Sequence, residues 1–186
     1  SAAMLRLTFP FLLIAFGSAI ALSAQDAGPS PDPETDPPMT VPGLARIVLA
    51  IDPEANLQGN VIEFTVLDVP VVVVADPAAD RMRAMVPIRS AEGIEAAELM
   101  RLMQANFDSA LDARYAIAKG KLWGVYIHPL SPLQPEQFVS GLAQTVGVAM
   151  TYGNTYSGGA NVFGGGDSNG LYEDLLRELQ KPGQEL

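Results

Sequence analysis

His128 is the sole histidine in this 186-residue chain, and cysteine is absent. The missing thiol removes cysteine nucleophiles, disulfides, thiolate metal sites and iron–sulfur clusters together. A serine or threonine nucleophile needs a base within hydrogen-bond reach, and that base is usually histidine. His128 precedes Pro129 at the end of an alternating apolar run, so it reads as a solvated strand-end histidine that packs its ring. Paired carboxylates form the other route to hydrolysis, because one acid can protonate a leaving group while a second activates water. The 21 acidic residues make that pairing possible, but most of them lie in the proline-rich segment 25–42, in turns and at solvent-facing positions. Asp167-Ser168-Asn169-Gly170 resembles a fragment of a calcium loop without its full spacing or its bidentate acid. It reads instead as a glycine-rich turn capping the helix that follows. Gly164-Gly165-Gly166 has the wrong spacing for a dinucleotide fingerprint and follows no βαβ strand. Tyr115, Trp123 and Tyr126 fall in strand-like runs, where aromatics pack by default. No catalytic residue, cofactor or metal is therefore assigned.

The segments that would carry such residues differ sharply in composition. Arg6 is the only charge in residues 1–24, and it precedes a fifteen-residue apolar run over residues 8–22. That run suits an export signal and falls short of the roughly 20 residues of a membrane-spanning helix. Small residues predict cleavage near Ser23 or Ala24, leaving a periplasmic or secreted protein with no stable membrane span. Residues 25–42 hold six of the fifteen prolines and four acids without a base, which predicts an extended, self-repelling tether. The whole chain carries a formal charge of −10, which disfavours nucleic acid as a partner.

From residue 43 the pattern becomes globular. Leu44, Ile47, Val48 and Ile51 at helical spacing predict a helix over 43–52, ended by Pro53. Ile62, Phe64 and Val66 alternate with Glu63 and Thr65 in a first strand, and Asp68-Val69-Pro70 reads as a turn. Residues 71–75 are continuously apolar, so both faces of that strand should be covered. Met82, Ala84, Val86 and Ile88 alternate with Arg81 and Arg83 in a third strand. A helix over 94–107 is expected to turn Leu99, Leu102, Met103 and Phe107 inward. Residues 112–118 and 121–128 form a hairpin around Lys119-Gly120. A helix starting near Pro132 or Pro135 and reaching Tyr152 then places Phe138, Leu142, Val146 and Met150 on one stripe. The order α-β-β-β-α-β-β-α predicts an α+β domain, with helices packed on an antiparallel five-stranded sheet.

Residues 85–88, Leu99-Met100-Arg101-Leu102-Met103-Gln104-Ala105-Asn106-Phe107, Asp112-Ala113-Arg114-Tyr115-Ala116-Ile117, Leu122-Trp123 and His128-Pro129-Leu130 together resemble the YbjN-like proteins of the type III secretion chaperone-like fold. The resemblance covers residues 43–152. It implies that fold, a habit of binding polypeptides and a homodimer. It carries no catalytic motif, and the export signal departs from the cytosolic setting of secretion chaperones.

Residues 153–186 form an extension. Residues 157–170 hold six glycines, and a helix over 171–180 follows with Leu171, Leu175 and Leu179 on one side. Ten residues are too few for a stable isolated helix in water, so this stripe should dock, on its own domain or on a second protomer. The function expected is an exported, non-enzymatic module, chaperone-like or adaptor, that binds another polypeptide. The alternatives are a structural or regulatory subunit of an envelope complex and a carboxylate-based hydrolase.

Overall fold

The computed structural model describes residues 36–159 and 169–180. The expected export signal, most of the expected acidic tether and the glycine-rich residues 160–168 lie outside that range. The architecture is α+β, with helices against a fully antiparallel sheet.

Helix α1 (Val41–Ile51) starts at Thr40, whose extended backbone and hydroxyl cap the first turn by accepting from the Gly43 N–H at 3.2 Å. Pro42 fits the first turn, where an N–H has no helical partner. Leu44, Ile47 and Val48 turn to the core. Asp52 ends the helix and fastens it to the sheet, accepting from the Thr65 N–H at 2.9 Å and the Thr65 hydroxyl at 3.1 Å.

Six strands follow, not five: β1 (Asn56–Gln58), β2 (Val61–Val66), β3 (Val69–Asp76), β4 (Arg81–Ser90), β5 (Arg114–Ala118) and β6 (Lys121–Pro129), in the spatial order β1-β2-β3-β4-β6-β5. The additional strand, β1, is three residues long and exposed throughout, so it shows no inside–outside alternation in sequence. The turn between β2 and β3 is Leu67-Asp68, both at positive φ, rather than Asp68-Val69-Pro70. Pro70 lies inside β3 opposite Thr65. The pair flanking this two-residue turn, Val66 and Val69, is hydrogen-bonded. Pro70 therefore occupies a position that lends no N–H to β2, and β4 does not reach it, because its pairing with β3 starts at Val72.

One face of the sheet is sealed. Ile62, Phe64, Val66, Val71, Val73, Met82, Ala84 and Val86 meet α1 and helix α3 (Pro135–Met150) in the main core. The opposite face is only half-covered: Val72, Val74, Met85, Trp123 and Val125 are intermediate in exposure. The apolar run of β3 thus does not mark a strand buried on both faces.

Two glycines let α3 approach β6 closely. A Cβ on Gly141 would meet the Tyr126 ring at 2.4 Å, and one on Gly124 would meet Val148 Cγ2 at 2.8 Å. Helix α3 ends at Met150, which is exposed rather than on the buried stripe with Phe138, Leu142 and Val146. Helix α4 (Asn169–Gln180) lies against α3. Its Leu179 is 2 % exposed inside the main core, with Leu176 packed beside it. The side chains of Leu171 and Leu175 lie outside the described residues. No helix among the described residues is long and apolar enough to cross a membrane.

Candidate binding surfaces

Helix α2 (Ala96–Asp108) runs along the outer edge of β5. Its hold is narrow. Leu102 and Ala105 alone are buried, in a second cluster with Tyr115, Leu122 and Val148. Asn106 completes the attachment, its amide donating to the Tyr115 C=O at 3.0 Å and its oxygen accepting from the Tyr115 N–H at 2.7 Å. A side chain thereby closes the strand edge at Tyr115, where it would otherwise be open to another chain.

Beneath the helix, the Tyr115 hydroxyl donates to the Val148 C=O at 2.6 Å, and burial pushes its phenol pKa well above the usual value. Tyr115, Tyr152 and Tyr156 pack mutually, with ring centroids 5.8–6.5 Å apart. The Arg101 guanidinium sits 4.7 Å from the Tyr156 ring centre, within cation–π range. Tyr152 bonds to Glu98, and burial together with that bond holds its phenol above the ordinary range.

These contacts turn the rest of α2 outward. Leu99, Met103 and Phe107, expected inside, are exposed, and Met100 joins them. Successive positions three to four apart share a helical face, so the four residues form one apolar stripe along the helix. Phe107 is 90 % exposed. Exposed large apolar side chains are unremarkable singly and informative when contiguous. The sequence held a signal for this. Leu99, Met100, Leu102, Met103 and Phe107 span a wider arc than the single contact made by Leu102 and Ala105 can cover.

A second surface lies where β5 stops short. The expected strand over 112–118 begins only at Arg114, because Asp112 and Ala113 are drawn to α3. The buried Gln144 carbonyl accepts from the Asp112 N–H at 2.9 Å and the Ala113 N–H at 3.1 Å. Beside this departure opens a groove of about 590 Å³, with Tyr126, Ile127 and His128 on β6 facing Glu136 and Ser140 on α3. His128 stacks on Tyr126, with centroids 5.9 Å apart, and its Nδ1 lies 2.8 Å from the Pro129 carbonyl. That contact makes Nδ1 the donor, because a carbonyl oxygen can only accept. Burial, with the nearby Asp112 charge, pushes the Tyr126 phenol up to about 12.

Among the described residues, no cluster of three or more histidine or acidic side chains could hold a metal ion. Ser23, Ala24, Gly164, Gly165, Gly166, Asp167 and Ser168 lie outside the described range. Gly166-Asp167-Ser168-Asn169-Gly170 matches the Gly-x-Ser-x-Gly spacing of a nucleophile elbow. An elbow joins a strand to a helix in an α/β-hydrolase sheet. The sheet described is antiparallel throughout, so the pentapeptide carries no assignment. No protein-family model matches the chain, and no curated protein matches it.

Proposed function

We propose that the chain is an exported, non-enzymatic polypeptide-binding module, chaperone-like or adaptor, that works as a homodimer and is akin to YbjN-like proteins. The observation that carries the reading is the α2 stripe of Leu99, Met100, Met103 and Phe107, fixed to the domain only through its opposite side. Unbranched methionine and a single exposed aromatic adapt to varied apolar surfaces, as a chain-capturing helix requires. The resemblance of residues 43–152 supports the same habit and the dimer.

The test uses reduced, carboxymethylated lactalbumin, a permanently unfolded polypeptide, as the client. Met103→Ser with Phe107→Ser is expected to abolish its binding while melting stays within about 0.5 kcal/mol of the parent, as for exposed positions generally. Unchanged binding by that variant would remove the stripe as the client surface. Light scattering on the parent chain reads the dimer directly.

A further inference from the structure

The groove beside β6 has the form of a missing strand. Strand β6 pairs with β4 from Lys121 to Pro129, whereas β5 accompanies it only from Lys121 to Val125. The hairpin turn Lys119-Gly120 has both residues at positive φ, as a two-residue primed turn requires. The flanking pair Ala118 and Lys121 is then hydrogen-bonded, and so are Ala116 with Trp123 and Arg114 with Val125. Tyr115 confirms this alternation, since both its main-chain groups face away from β6 and are taken by Asn106. The next residue of β6 in the series is Ile127. Its N–H and C=O point into the space that Asp112 vacates, and its side chain is 56 % exposed.

We propose that this groove is a docking slot for an extended polypeptide segment in which basic and apolar residues alternate, added antiparallel to β6 in the line of β5. The slot rests on the polypeptide-binding reading above and names a second contact for the same kind of partner. Main-chain bonds to Ile127 supply the pairing common to strand addition. Side chains of paired strands share a face at opposite positions, so the residue across from Ile127 lies beside it on the half-open sheet face. An apolar residue there covers the exposed Ile127. The neighbour across from His128 points to the α3 side, where Glu136 and Asp112 line the groove. Arg114 lines it too, but is paired with Val125 and so belongs to the half-open face. Lysine or arginine fits the position across from His128. Gln144 holds both ends of this arrangement, because its amide nitrogen lies 3.3 Å from the Asp112 carboxylate while its carbonyl diverts the chain from β6.

The full chain, labelled with ¹⁵N, is titrated with acetylated and amidated Lys-Val-Lys-Val-Lys and with its glutamate counterpart. The lysine peptide is expected to slow exchange of the Ile127 amide about tenfold or more, as pairing into a ladder should. Glu136→Gln, an exposed change that leaves the fold intact, is expected to weaken binding about threefold, the size of an exposed ion pair. Ile127→Pro removes the outward N–H at an edge position and is expected to abolish binding of the lysine peptide, read from the amide shift of His128. Equal binding of the glutamate peptide would overturn the slot, as would indifference to Glu136→Gln or shifts confined to Met103 and Phe107. The last outcome would leave the α2 stripe standing as the client surface.

Discussion

Gly141 and Gly147 share α3 and the same helical cost, yet their surroundings differ. In an exposed helix interior, glycine to alanine gains about 1 kcal/mol. At Gly141 the added Cβ would fall 2.4–2.7 Å from three atoms of the Tyr126 ring, which also stacks on His128. Overpacking of that kind costs about 1–3 kcal/mol, so Gly141→Ala is expected to lose stability in urea unfolding. At Gly147 the nearest atoms lie at 3.5 Å, an ordinary contact. Gly147→Ala is expected to be neutral or more stable by up to about 1 kcal/mol. Equal effects at the two sites would contradict the close approach of α3 to β6. Tyr126 thus depends on a glycine that helical periodicity alone would treat as a flaw.

Each helix meets the rest of the domain in its own way. Helix α3 is buried from Gly141 to Val148 on nearly every side, between the sheet, α4 and the loop around Ser157. Gly158 supports that loop by lying where a Cβ would strike the Ala110 carbonyl at 2.3 Å. Helix α4 is too short to persist in water alone, and Leu179 attaches it to the main core. Leu179→Ala is expected to cost about 2–4 kcal/mol in equilibrium unfolding, the range for a leucine lost from a packed interior. A loss below about 0.5 kcal/mol would show a frayed helix instead. Helix α2 is the contrary case, since Leu102 and Ala105 hold it while its broadest apolar arc faces outward.

Across the molecule, two carboxylates join elements far apart in sequence. Asp80, in the turn after β3, accepts from the Ser131 N–H at 2.7 Å and its hydroxyl at 2.9 Å, tying the sheet to the approach of α3. Those bonds hold its pKa below the ordinary 3.8, with the Ser131 N–H the largest cause. Asp52 is likewise held below 3.8, chiefly by the Thr65 N–H. A carboxyl depressed on folding contributes stability above its unfolded value and loses it as pH falls through the folded one. The melting gap between parent and Asp80→Asn is therefore expected to be full near neutrality and to close below about pH 4. A gap that persists in acid would show that the charge has no part in the link.

The α+β class and most of the sheet were legible in the sequence, because the alternation of Ile62, Phe64 and Val66 and of Met82, Ala84 and Val86 is a local pattern with one sealed face. The helical stripe of Leu44, Ile47 and Val48 was legible for the same reason. Strand β1 was not, since Asn56, Leu57 and Gln58 are all exposed and owe their state to the partner strand alone. Periodicity showed that α2 is amphipathic but not which arc of it faces inward. That was decided by Asn106 closing the β5 edge and by Leu102 meeting Tyr115 and Leu122. The groove was equally invisible, because β5 ends where Gln144, some thirty residues later in the chain, captures two backbone N–H groups. Local spacing determines which residues share a face. Contacts between distant segments decide which face is covered, and hence which surface is left to bind.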